Sequence, residues 1–426
     1  MMSTLFERLI LLLHKHEIPI VLLRVKDISE DTLYSGDFDF YLDPTYKKKL
    51  FTFIFDFLSK NEINFFIDQK KYGKTKIFIF NDVEKILQLE IWHYLEIKSP
   101  FSRITHYIMP EKINQLILKK DATYVLHPLF EALYYLSHLY TKSKNLLAEE
   151  INQRLSFYWT YLQEVSPKDA ILFEKLLSRD IDLTQIISQV FLKIKKEYIY
   201  DSSFKMSFVT FKIKFLKALH KLSFTARKKV KLTPVLGPDG VGKTTFIEEL
   251  SRQNPTIVYY RFKKLFRKSL LYKLCFQIQS KKNSSLEKNQ IDELMGGCVF
   301  LSALSHYPFL LFSAIFKTKS IFSDRFFHDY LLKGVRIHQD KLTYISNKPL
   351  LIHFIPNTKT IIQLDANSET ILKRKQELNH DIICLYRQHI FHLIIDTPFY
   401  QYFYLNTKYD VKDLAKSFLY LNETYS

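Results

Sequence analysis

Leu232–Leu236 (LTPVL), Gly237–Thr244 (GPDGVGKT) and Thr245–Arg252 (TFIEELSR) follow one another without a break, as a β-prone run, a glycine-rich turn and a helical run. The middle stretch satisfies the pattern G-x-x-x-x-G-K-[ST]. Its flanks are the strand and helix that such a turn requires, although Pro234 weakens the strand. Only eight glycines occur in 426 residues, and three of them lie between Gly237 and Gly242. A residue used far below its usual share of about 7% is thus concentrated where the backbone has special work to do. Gly237, Gly240 and Gly242 let the loop turn its N–H groups inward around phosphate oxygens, and the N-terminus of the following helix adds a positive dipole end. Lys243 would reach the β- and γ-phosphates of a nucleotide, and Thr244, with Thr245 beside it, would give its hydroxyl to Mg²⁺.

Downstream, apolar strand-like runs at Ser320–Ser323 and Thr360–Leu364 alternate with helical segments, the pattern of a parallel sheet built from βαβ units. Phosphoryl transfer needs positioning and charge neutralisation more than covalent chemistry. Asp324, at a strand's C-terminal end, can hold the water shell of Mg²⁺, and Arg325 can grip an anionic acceptor; the plainer alternative for the two is a local ion pair. Arg374 and Lys375 can close over the transferring phosphoryl group or simply face solvent, and Arg387 is a further candidate for that lid.

The loop GPDGVGKTT resembles the G-x-[DE]-G-x-G-K-[ST]-T loop of thymidylate kinase-like enzymes. Ile321–Tyr330 (IFSDRFFHDY) resembles that family's strand ending in Asp-Arg-Tyr, most closely a bacterial subset reading D-R-Y-x-x-D, with Phe326 in the tyrosine position. Ile361–Leu378 (IIQLDANSETILKRKQEL) resembles its strand ending in Leu-Asp, followed by the helix that carries the lid. The three motifs run in the family's order from about residue 230 to the end. The resemblance implies a P-loop kinase domain using ATP and Mg²⁺, with Asp239 touching the acceptor's sugar. The acceptor stays open between a nucleotide, a sugar and a glycolipid; the basic, aromatic segment Tyr259–Lys282 does not match a thymidylate-binding pattern. Because members of this family are often dimers, a homodimer is an expectation by analogy.

The N-terminal part predicts a second α/β unit: a helix over residues 3–16, strands at Ile18–Arg24 and Gly36–Leu42, a helical stretch Pro44–Lys60, and strands at Asn64–Asp68, Lys74–Phe80 and Ile86–Trp92. Asp37 and Asp39, on alternate positions of one strand, face one side. With Glu90 from another strand they would form a two-metal site; alternatively they are acids at a strand edge. The arrangement resembles nucleotidyltransferases of the polymerase-β-like superfamily, in which a G-[SD]-x-D-x-D strand and a later acidic strand supply the metal ligands. From about residue 111 to 222 the periodicity turns helical.

The expected architecture is therefore α/β throughout: a small mixed-sheet nucleotidyltransferase-like domain over residues 1–110, a helical extension and basic linker helix over 111–225, and a P-loop kinase domain with a parallel sheet over 226–426. Net charge is +18, with 62 Lys and Arg against 44 Asp and Glu. Such a field favours phosphorylated small molecules, polyanions or anionic lipid. Nucleic acid is disfavoured because no recognition module is present. Phe204–Leu222 (FKMSFVTFKIKFLKALHKL) aligns Phe204, Phe208, Phe211, Phe215, Leu219 and Leu222 on one stripe, with lysines mostly off it. This reads either as a helix lying on an anionic membrane or, preferred here, as a linker helix packing on a domain. The apolar run Cys298–Phe316 contains His306 and Pro308 and reads as a buried helix rather than a membrane span. Three scattered cysteines exclude a disulfide framework and suit a reducing compartment. No cleavable leader is evident. The expectation is a cytoplasmic protein, peripheral to the inner membrane face if the basic helix docks there. Rival readings make the N-terminal domain the active transferase, or the whole chain a nucleotide-gated scaffold at a membrane.

Overall fold

A computed structural model describes residues 2–23, 38–81, 86–98, 105–108, 110–120, 123–142, 148–177, 188, 192, 203–228, 232–267, 269–281, 288–316, 320–333, 342–375 and 379–425. In chain order, the N-terminal strands are β1 (Val21–Leu22), β2 (Phe38–Tyr41), β3 (Asn64–Asp68), β4 (Lys74–Phe80), β5 (Ile86–Trp92), β6 (Leu95–Lys98), β7 (Thr105–Ile108), β8 (Ile117–Lys120) and β9 (Thr123–Leu126). The C-terminal ones are β10 (Leu232–Leu236), β11 (Ile257–Arg261), β12 (Ser320–Asp324), β13 (Leu332–Lys333), β14 (Thr343–Tyr344), β15 (Thr360–Asp365) and β16 (Gln401–Asn406). Parallel and antiparallel neighbours occur in both units described below, while β6–β7 and β13–β14 are separate antiparallel pairs. The chain divides into two compact units. One comprises Met1–Leu50, Lys71–Lys76 and Gln88–His220; the other comprises Phe51–Lys70, Ile77–Leu87 and Lys221–Ser426.

In the first unit, β5, β2, β1, β9 and β8 lie side by side. β2 runs parallel to β5 with Asp39 opposite Glu90, and β1 is antiparallel to β2 and parallel to β9. Helices Pro128–Lys142, Ala148–Val165 and Pro167–Leu177 contribute Phe130, Tyr158, Leu162 and Phe173 to a core shared with Val21 and Tyr41. Residues 117–120 and 123–126, expected within the helical stretch, form the antiparallel pair β8–β9 instead. Thr123, Tyr124 and Val125 favour the pleated backbone, and pairing with β1 outweighs the weak periodicity around them.

The second unit is built around a parallel stretch in the order β11-β12-β10-β15-β16. Every residue of β15 and β16 is buried, as expected of parallel strands covered on both faces. From β10 the chain crosses to β11 on one side, returns to β12, then passes to β15 on the other side of β10. The C-terminal end of β10 is therefore the switch point at which open α/β sheets take their ligands, and Gly237–Gly242 leads out of that end.

The division differs from the expected one, because part of the N-terminal sequence belongs to the second unit. β3 pairs antiparallel with β16 and so covers what would otherwise be an open sheet edge. Phe55, on the helix Lys47–Lys60, stacks on Phe391 at 4.1 Å, and Phe66 of β3 stacks on Phe403 at 4.1 Å. Among the described residues no helix is long and apolar enough to cross a membrane. The run Cys298–Phe316 lies in the helix Lys288–Phe316, where Phe300, Ala303 and Tyr307 are buried and Leu301 and Phe309 are exposed. The expected buried helix is buried along one face only.

Candidate functional site

β10 ends in a loop whose glycines all take left-handed backbone: φ is 147° at Gly237, 88° at Gly240 and 100° at Gly242. A Cβ at Gly237 would stand 2.5 Å from the Leu364 carbonyl oxygen, and one at Gly240 would stand 3.1 Å from Lys375 Cβ. The loop thus lies flush against β15 and the start of the segment beyond it, an approach only glycine permits. Gly242 caps the helix Lys243–Gln253.

Lys243 is buried beneath the loop, and its ammonium donates to the carbonyls of Gly237 (2.8 Å) and Pro238 (2.9 Å). Burial, reinforced by nearby Arg325, pulls its pKa below the ordinary lysine value. Asp239 collects three cations: it is ion-paired with Arg325 Nη2, with Lys243 Nζ at 3.5 Å and with Lys375 Nζ at 3.7 Å. Burial alone would raise its carboxyl, but Arg325, Lys243 and Lys375 hold it down at about 2. The aspartate expected by resemblance to meet the acceptor's sugar is, in the free protein, the anion that holds this cationic group together.

Asp324 closes β12 opposite Val235 of β10, which brings it to the same sheet end as the loop. Its Oδ2 accepts from the Tyr259 hydroxyl at 3.2 Å, and the Thr244 side chain lies near enough to lower the pKa of that hydroxyl, against burial, which raises it. The two residues expected to hold Mg²⁺ therefore share one neighbour. Asp324 Oδ1 is buried and has no hydrogen-bond partner among the described residues. A buried carboxylate oxygen without a donor is costly unless something else completes it, and a hard divalent cation with oxygen ligands fits that vacancy in the bonding. Thr244 and Thr245 are exposed at the helix start.

Arg325 adopts φ = 72°, a conformation rare for a bulky side chain and costly to hold. Its amide is tied to the Val235 carbonyl at 3.1 Å. Its guanidinium reaches Asp239 and, at 3.7 Å, Asp329. Asp329 is buried, takes the Phe326 amide at 3.1 Å and receives the Tyr386 hydroxyl. Burial pushes the Asp329 carboxyl up, against the opposing pull of Arg325 and Tyr386. The spacing of Asp324 to Asp329 makes Asp329 legible as the last acid of the D-R-x-x-x-D run. Tyr259 had a weaker signal, the β-prone IVYYR of β11, and Tyr386 had none, since it arrives from the helix His380–Asp396.

Of the lid candidates, Arg374 comes close to the loop, with Nη1 3.8 Å from where a Cβ on Gly242 would stand, and Lys375 meets Asp239. Arg387 does something else. Its Nε bonds Asp365 Oδ1 at 2.6 Å and its Nη2 bonds the Ala366 carbonyl, so it braces the end of β15.

The second expected site looks different. Asp37 lies outside the described residues. Asp39 is buried and its Oδ1 accepts from Trp92 Nε1 at 2.9 Å. Glu90 is buried between Lys74 and Lys76, ion-paired with both, and also takes Gln88 Nε2 at 3.1 Å. Burial would raise the Glu90 carboxyl, but the two lysines hold it below the usual range. Among the described residues, no three or more His, Cys, Asp or Glu side chains are gathered as a metal would require.

Compared with models of known protein families and with curated proteins, the chain matches none.

Proposed function

We propose that the chain is an ATP- and Mg²⁺-dependent phosphotransferase whose C-terminal unit works in the manner of thymidylate kinase-like enzymes on a small acceptor: a nucleotide, a sugar or a glycolipid. The observation that carries this reading is Lys243 buried under a glycine loop at the switch point of a parallel sheet, with Asp324 beside it. In this reading, the amides of residues 237–244 orient the phosphates. Lys243 exchanges the carbonyls of Gly237 and Pro238 for phosphate oxygens. Thr244 and Asp324 would hold Mg²⁺, which, when bound, would supply charge neutralisation at the transferring group. Arg325, fixed by Asp239 and Asp329, presents positive charge to an anionic acceptor. Arg374 and Lys375 lie where they can close over the loop. The acceptor oxygen forms its bond to the γ-phosphorus as the bond to the β-phosphate oxygen breaks, and ADP leaves; where the acceptor oxygen is a hydroxyl, its proton passes to solvent water.

The reaction belongs in the cytoplasm, near the inner membrane face, where ATP is supplied and thiols stay reduced. By this assignment the N-terminal unit is a nucleotidyltransferase-like fold whose Glu90 is neutralised rather than free for a metal.

Titration of ATP into the Lys243→Ala protein tests the reading. Affinity should fall by about a hundredfold, the scale of a lost charge-assisted contact to phosphate; parent-like affinity would falsify it. Labelled ATP offered with nucleoside monophosphates, sugars and glycolipids then identifies the acceptor.

A further inference from the structure

The helix Ser203–Lys228 has two unlike faces. At 3.6 residues per turn, Phe211, Phe215, Leu219 and Leu222 share one side, and Ile213, Lys217 and His220 the opposite one. The second side is held. Ile213 is buried, and Lys217 Nζ donates to Glu96 Oε2 and to the Tyr107 hydroxyl, both at 2.9 Å. The His220 ring meets Tyr72 edge-on at 5.9 Å. The first side faces solvent, with Phe211 67%, Phe215 53%, Leu219 46% and Leu222 68% exposed. A helix that only linked domains would bury its apolar stripe, whereas this one is anchored by its other face.

Four large apolar side chains on one continuous face exceed the scattered exposure normal for a surface. Their borders are chemically specific. Lys212 flanks the stripe on one side, Lys214 and Lys221 flank it on the other, and all three are exposed. From Ser203 to Pro238 the sequence contains no Asp or Glu. An apolar stripe edged by lysines matches the layered chemistry of an anionic bilayer: acyl chains take the rings and leucines, while the lysine stems extend so that each ammonium reaches a phosphate.

We propose that this face docks the protein on anionic phospholipid, with Phe211, Phe215, Leu219 and Leu222 inserted at the headgroup boundary. The inference stands apart from the phosphotransferase reading, since no residue in it belongs to the nucleotide loop.

Flotation of the full-length protein with vesicles tests it, using phosphatidylcholine alone or mixed with phosphatidylglycerol. The protein should float with the anionic vesicles, remain behind with the neutral ones, and be released as salt shortens the Debye length from about 10 Å at 0.1 M to about 3 Å at 1 M. Phe211→Ser plus Phe215→Ser should weaken partitioning at least about tenfold. Lys212→Ala plus Lys214→Ala should weaken it about twenty-five-fold, taking about fivefold per lysine at an anionic surface. Both doubles alter exposed side chains, so their thermal unfolding and their ATP affinity should stay at parent values, whatever that affinity proves to be. Absence of flotation at low salt, partitioning unchanged in both doubles, or a monomer–dimer equilibrium in sedimentation that the Phe double abolishes would overturn the proposal, the last by assigning the face to a second copy.

Discussion

Two acidic residues on strands, Asp324 and Glu90, show how differently a carboxylate can be used. Asp324 keeps one oxygen on the Tyr259 hydroxyl and leaves the other buried without a donor. Glu90 has both oxygens engaged by Lys74, Lys76 and Gln88. A carboxylate whose lone pairs already serve ammonium groups has little left to offer a cation, because the attraction that would draw the metal has been neutralised locally. An acidic residue in the right motif is therefore only a candidate ligand until its neighbours are known.

The comparison can be broken most decisively by activity. Asp324→Asn should lower the proposed Mg²⁺-dependent phosphoryl transfer by about 10³-fold, while Glu90→Gln should leave it within about twofold, once the variant's folding has been checked by urea unfolding. Equal losses in the two variants would erase the distinction; nucleotide incorporation abolished by Glu90→Gln alone would reverse it.

The backbone offers a second contrast. Gly237→Ala forces a Cβ to 2.5 Å from the Leu364 carbonyl at φ = 147°, and backbone cannot step aside; Gly73→Ala at φ = 78° meets Tyr94 Cδ2 at 2.9 Å, the ring of a side chain that can turn. Urea unfolding should show a loss of about 3 kcal/mol for the first and about 1 kcal/mol for the second.

A smaller effect sharpens the electrostatic side. The Asp239 carboxyl is held at about 2 in the folded protein, below its unfolded value of about 4. A depressed carboxylate stabilises the fold above the unfolded pKa, and that stabilisation disappears as pH falls through the folded one. Asp239→Asn should therefore cost about 2 kcal/mol at pH 7. The gap from the parent should close between about pH 4 and about pH 2, read by denaturant unfolding across that range. A gap that persists unchanged at the acid end would mean that Asp239 acts through packing, not charge.

Much of the loop proposed to bind nucleotide was legible in the sequence because its geometry is local. A loop that points amides at phosphate needs glycine at fixed spacing, and the lysine and threonine that complete it follow in the same turn. Asp324 and Arg325 were legible for a related reason: they fall at the end of an apolar run, where a strand delivers its last residues to the sheet's ligand edge. The partner of Arg387 was not legible, because helical position alone does not say which neighbour a guanidinium will meet; Asp365, buried with its pKa pushed up by burial and opposed by Arg387, pairs with it. The partners of Glu90 were equally hidden. Lys74 and Lys76 lie fourteen or more positions away, and only strand register aligns them.

What the sequence determined by itself was the strand–loop–helix at 232–252, the α/β character of both halves and the basic amphipathic stripe at 204–222, all set by periodicity and by residues whose backbone demands are intrinsic. The tertiary structure alone decided that β3 completes the second unit's sheet, that Tyr259 donates to Asp324, and that the stripe from Phe211 to Leu222 turns outward while Ile213 and Lys217 hold the helix down. The reason is that edge pairing, burial and charge compensation depend on which distant segments meet. A contact formed between residues hundreds of positions apart leaves no mark on the spacing within either one.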